Sequence, residues 1–211
     1  MHMHFLRTHW VDLGAVMAVG LLGYLFTHPG LPLLQKILWW SLVGLFFHQL
    51  EEYRVVGTFP GMVNKIVFKS DCPDRYPLNT NTALIINVGI GWTSYFLAAL
   101  FYRQALWLGI ATMLVSLGNI VAHTIVFNSR GKRWYNAGMF TCWLCFAPCL
   151  YFFCKEMILT GIASTLDFIM GISLGIFFNV GGIFGLINLL ADRQTKFIFD
   201  QRNLLPGDRK K

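Results

Sequence analysis

Six apolar runs, each about as long as a bilayer is thick, constrain this chain more than any other feature. They fall at about Trp10–Phe26, Leu33–Leu50, Thr82–Tyr102, Ala105–Phe127, Asn136–Phe153 and Leu166–Ala191. A hydrocarbon core is crossed by roughly 17–25 helical residues, and backbone polar groups within it must be satisfied inside their own segment. The expectation is therefore an all-α polytopic membrane helical bundle, with about six transmembrane helices in a single transmembrane domain over residues 1–211. Composition agrees: 13% of residues are charged and the mean hydropathy is +0.55, against about 25% charged in a soluble domain. The first run sits behind Arg7 as a signal peptide would. It is kept as a helix because it contains Asp12 and has no small-residue cleavage site before His28-Pro29-Gly30.

Charge sets the orientation. Fourteen of the 17 Lys and Arg residues fall on one side: Arg7, four between Arg54 and Arg75, Arg130, Lys132, Arg133, and six from Arg193 onward. Only Lys36, Arg103 and Lys155 fall on the other. Because basic loops stay inside, both termini are expected in the cytoplasm, in a multi-pass protein of the inner (cytoplasmic) membrane. The net charge of +7 then needs no nucleic acid as partner. Residues 53–81 form the long cytoplasmic loop, in which 59–69 is expected to lie at the interface with Lys65 and Lys69 at the headgroups. Residues 193–211 form a basic tail directed to anionic lipid. Four of the five cysteines lie in or directly after one apolar run, which argues against a disulfide framework. Cys142, Cys145 and Cys149, with Gly138, form a small-residue face read as packing. His2 and His4 read as an unstructured end.

The chemistry concentrates where the second run ends, in His48-Gln49-Leu50-Glu51-Glu52. Offsets of three and four residues put His48, Glu51 and Glu52 on one helical face. The fourth run carries Thr112, Ser116, Asn119 and His123 at spacings of four, three and four, a polar stripe ending at the depth of His48. Asn87 on the third run and Asn179 on the sixth add amides, and glycines spaced by four on the sixth permit close helix approach.

These residues resemble a known family. His48-Gln49-Leu50-Glu51-Glu52, Phe59-Pro60-Gly61, Asn119 with His123, and Tyr135-Asn136 with Gly138 are similar, in order, to the HXXEE-motif family of small bacterial membrane proteins. Ala137 departs from the family's Tyr-x-Pro-Gly element. The resemblance implies His48, Glu51, Glu52, Asn119 and His123 as signature positions and implies no reaction.

Three chemistries fit. In the first, zinc or iron is bound by His48, Glu51, Glu52 and His123; Glu52, Glu51 and Asn119 serve catalysis, and Asn87, Ser116 and Asn179 contact a lipid or other hydrophobic substrate. Hydrolysis or transfer is favoured over oxidation, since di-iron sites use more carboxylates. In the second, the glutamate pair and histidine act without metal as an intramembrane hydrolase. It shares ingredients with CAAX-type proteases but not the order of their motif. In the third, the His–Glu cluster is structural, in a non-enzymatic lipid or small-molecule binder, carrier or assembly factor.

Overall fold

The computed structural model describes residues 2–210, with side chains from Phe5 onward. Its rods are α1 (His2–Thr27), α2 (Leu33–Leu50, continued by a π-helical turn Glu51–Val55), α3 (Phe59–Met62, continued by Val63–Val67), α4 (Thr80–Leu100), α5 (Leu106–Gly131), α6 (Met139–Thr160) and α7 (Thr165–Leu189). The chain is an all-α polytopic bundle. α1 begins at His2, so the N-terminus is helical rather than unstructured; the side chains of His2 and His4 lie outside the described residues.

Five rods among the described residues, α1, α4, α5, α6 and α7, are long and apolar enough to cross a membrane. α2 is of similar length but carries Lys36, His48, Gln49, Glu51 and Glu52. Its position explains its lower apolarity. Twelve of the 18 residues from Leu33 to Leu50 are buried, so protein rather than lipid surrounds most of it. α2 also returns the chain to where α1 began: Arg54 Nε and Nη2 donate to the Asp12 carboxylate at 2.6 and 2.7 Å, and Arg54 also donates to Thr8 O. At the opposite end Tyr24 meets Trp39 edge-on.

α4 and α5 are joined at mid-depth by Tyr95, whose hydroxyl bonds Ser116 (2.8 Å) and donates to Thr112 O (2.9 Å). α5 and α7 run parallel in close contact. A Cβ on Gly171 would meet Ile110, and one on Gly175 would meet Leu114, at 2.6 and 2.7 Å, so only glycine permits this approach. All five cysteines are free. A Cβ on Gly44 would lie 2.9 Å from Cys145 Cβ, so Cys145 packs α6 on α2 as the small-residue face predicted.

The long connection is tied down by one amide. Fully buried Asn64 donates to Pro73 O (2.9 Å) and Leu78 O (2.8 Å), and its Oδ1 accepts from Leu78 N (2.9 Å). The C-terminal segment roofs this loop: Asn203 donates to Tyr53 O and Gly57 O at 3.1 and 2.8 Å, and Phe199 N donates to Asp74 O. Within α3, Pro60 to Asn64 face inward while Lys65 is exposed and pairs with Asp208 at 3.6 Å. The buried apolar side chains fall into two clusters, one around Leu38, Leu42, Phe46, Tyr95 and Phe146, the other around Trp10, Tyr53, Met62, Phe127 and Leu205. The histidines lie at the seam: His48 packs on Phe146, and His123 on Phe127 and Phe59.

Candidate metal centre

Helical offset puts both Glu51 and Glu52 on the side of His48, but they stand about 100° apart round the axis, and only one of them meets the histidine. Glu52, four residues on, does. Its Oε1 lies 3.4 Å from His48 Nε2 and 3.2 Å from His123 Nε2. All three side chains are buried, at most 4% of each residue being exposed.

The other ring nitrogens fix the tautomers. His48 Nδ1 lies 3.1 Å from Gly138 O and 3.0 Å from Thr141 Oγ1. The carbonyl can only accept, and the Thr141 hydroxyl is already 2.6 Å from Glu51 Oε2, so Nδ1 carries the proton. His123 Nδ1 donates to Asn136 Oδ1 at 2.6 Å; the Asn136 amide is oriented by donating to His123 O and Asn128 Oδ1 at 2.7 and 2.8 Å. With Nδ1 as the donor in each ring, Nε2 is the atom that each imidazole aims at the Glu52 carboxylate. Neither has a hydrogen-bond partner. Two imidazole nitrogens and a carboxylate converge in a buried site only with a cation among them, a proton or a metal ion. Donors about 2.0–2.1 Å from a tetrahedral metal ion stand about 3.3 Å apart, which matches the observed 3.2 and 3.4 Å. Nδ1–H held by a carbonyl or amide oxygen is also the usual outer-shell arrangement of metal-binding histidine. A metal ion is one cation that these residues fit.

Cys142 belongs to this cluster, although the sequence pattern placed it on a packing face. Its sulfur is 3.7 Å from His48 Nδ1, and donor atoms of His48, His123 and Cys142 lie within 4.8 Å of one another, the buried set among the described residues that could hold an ion. Gly138 seats both rings. Its φ is +104°, and a Cβ there would stand 2.8 Å from both His123 Nδ1 and His48 Cε1.

Glu51 turns to a different task. It accepts from Thr141 N (2.8 Å) and Thr141 Oγ1 (2.6 Å) on one oxygen, and from Tyr135 OH (2.6 Å) and Phe140 N (3.3 Å) on the other. It thereby caps the start of α6, where N–H groups lack helical partners. Burial, then the bond to Glu51, pushes the Tyr135 phenol above its usual range and keeps it a donor.

A cavity of about 90 Å³ between α2, α4, α5 and α7 adjoins His48 and Glu52. Asn87 and Asn119 line it, amid Leu45, Ile86, Ile90, Val115 and Phe178. Asn87 Oδ1 accepts from Gln49 (3.0 Å), which in turn accepts from Trp92 (2.7 Å); Asn119 donates to Val115 O on its own helix. Ser116 and Asn179 are not brought to this wall. Ser116 is fully buried against Tyr95, and Asn179 donates to Leu114 O and Gly175 O in the α5–α7 contact. Besides Cys142, the pattern of residue types did not pick out Thr141, whose role depends on how the 132–138 segment re-enters the bundle. Tyr135, Asn136 and Gly138 were visible only as parts of the family motif.

Fold and site together define a multi-pass membrane protein with a buried His48/His123/Cys142 group and Glu52 in contact with both imidazoles. A family model described as "Protein of unknown function with HXXEE motif" matches residues 39–153, more than half of the 211-residue chain, and the chain belongs to that family. Comparison with curated proteins and with solved structures finds no match.

Proposed function

We propose that this protein is a membrane-embedded metalloenzyme. One divalent ion, zinc or iron, would be held by His48 and His123, with Cys142 and Glu52 as the further donors beside them. The carrying observation is the convergence of two partnerless Nε2 atoms on Glu52 at 3.2 and 3.4 Å. When bound, such an ion supplies Lewis acidity toward a carbonyl or phosphoryl oxygen. The chain's own residues do the rest: Gly138 O and Asn136 fix the imidazole tautomers, Asn119 offers amide capacity to a polar group in the cavity, and the aliphatic wall receives a hydrocarbon portion. This supports hydrolysis or transfer on a lipid or other hydrophobic substrate at the basic, cytoplasmic end of the bundle.

A metal-free glutamate pair draws no support from this arrangement, because Glu51 is engaged by α6 and faces away from the histidines. A binder or carrier would share the site without turnover. Elemental analysis of the detergent-purified protein, beside the double variant His48→Ala, His123→Ala, tests the reading. Near-stoichiometric zinc or iron is expected in the parent and absent from the variant. A folded parent without metal, prepared without chelator and still empty after incubation with either ion, sinks it.

A further inference from the structure

The turn between α5 and α6 has two halves with different surroundings. Its tip carries Arg130, Lys132, Arg133 and Trp134, all exposed, with Trp134 96% exposed. None of the three basic side chains has an acidic partner among the described residues, whereas Arg54, Arg75 and Arg193 all do. An unpaired basic cluster beside a bare indole at the end of membrane-crossing helices has the composition of a headgroup contact: cations meet phosphate while the indole sits at the interface. Complementing the α5 C-terminal dipole would account for Arg130 and Lys132, but it gives no reason for Trp134 to stand free.

The inner half of the same turn is built into the metal centre. Asn128 donates to Trp134 O (3.2 Å), its Oδ1 accepts from Asn136 (2.8 Å), and Asn136 accepts from His123 Nδ1 (2.6 Å). One hydrogen-bonded chain therefore joins the backbone of the exposed tryptophan to a buried imidazole. Next to it, Tyr135 bonds Glu51, and Gly138 O receives the His48 ring. Arg133 N also donates to Asn128 O, which closes the tip onto the same asparagine.

We propose that the Arg130–Trp134 tip binds anionic phospholipid headgroups, and that this contact holds the 135–138 strap, and through it His123 and Glu51, in the arrangement seen. The contact is independent of which cation lies between the histidines, so it survives if the metal reading fails.

The test is hydrogen–deuterium exchange on the full-length protein in nanodiscs of phosphatidylcholine alone and of phosphatidylcholine with phosphatidylglycerol. Peptides spanning 128–141 are expected to exchange several-fold more slowly with phosphatidylglycerol present, an effect that fades at high salt because headgroup attraction is screened. A triple variant, Arg130→Gln, Lys132→Gln, Arg133→Gln, should lose the lipid dependence while α5 peptides around Ser116 keep their protection, which shows that it folds. Trp134→Ser should weaken the dependence without abolishing its salt sensitivity. Equal exchange of 128–141 in the two lipid compositions, or a lipid dependence that survives in the folded triple variant, overturns the proposal.

Discussion

Two adjacent glutamates with the same chemistry are separated by one residue's rotation into different jobs. Glu52 touches both histidines, and Glu51 is saturated by four donors at the head of α6. Glu51→Gln turns an amide NH₂ toward donors and should cost about 1–3 kcal/mol of stability, while metal content in the folded fraction is retained. Glu52→Gln should do the reverse, keeping the melting temperature within a few degrees and emptying the site. Thermal unfolding in detergent with elemental analysis on both variants decides the matter, and a parallel loss in both would refute the division. Gly138→Ala gives a sharper result at the same scale. A methyl would overlap the His123 ring at Cε1 and stand 2.8 Å from His48 Cε1 on a backbone at φ +104°, so one carbon should displace the histidines and strain the turn by about 1–3 kcal/mol. Bound metal should be lost along with stability, whereas Gly207→Ala, which meets nothing, should be silent. Of this site, His48, Glu52 and His123 were legible because helical offset and chain direction alone bring them to one depth. Cys142 was not, since the same small side chain serves a helix–helix face one turn later at Cys145. Ser116 and Asn179 were over-read: a polar residue on a buried helical face is as readily spent on a neighbouring hydroxyl or carbonyl as on a ligand.

The element that most resisted sequence reasoning is the 53–81 connection. Its order comes from Asn64, whose partners are the backbone groups of Pro73 and Leu78. Every residue carries such groups, so the pairing leaves no mark in residue types. By contrast, the small-residue stripe of α7 was legible, since a glycine spacing of four has few other uses in a membrane helix. Asn64→Ala removes a fully buried amide and leaves two carbonyls and an N–H without their partner, a cost of about 1–3 kcal/mol for each group left unsatisfied. The loss should be local. Limited proteolysis is expected to cut within 68–79 many times faster in the variant, with α4 and α5 still protected. An unchanged cleavage rate would mean that the C-terminal roof, through Phe199 and Asn203, holds the loop without help.

At the scale of the whole molecule, α2 decides the number of crossings. Its composition alone places it below the five clearly apolar rods, yet Arg54 at its end grips Thr8 and Asp12 near the start of α1, so the chain runs out along α1 and back along α2. Arg7 reaches Asn81 at the start of α4, and Asn203 reaches Tyr53, which gathers both chain ends and the long loop at one end of the bundle. We propose from these contacts six traversals with the ends together. The excess of Lys and Arg at that end supplies the orientation, since basic segments resist translocation. Single cysteines placed in a cysteine-free background make this measurable, and two glycines with open surroundings are the natural sites: Gly30, in the turn between α1 and α2, and Gly207, in the tail. An impermeant maleimide added to intact cells should label Gly30→Cys and leave Gly207→Cys untouched until the membrane is permeabilised. Lys69→Cys, on the exposed side of the loop, should behave like Gly207→Cys. If Gly30→Cys and Gly207→Cys label alike on intact cells, α2 does not complete the crossing and the proposed placement of the His48–Glu52–His123 cluster at the cytoplasmic end fails.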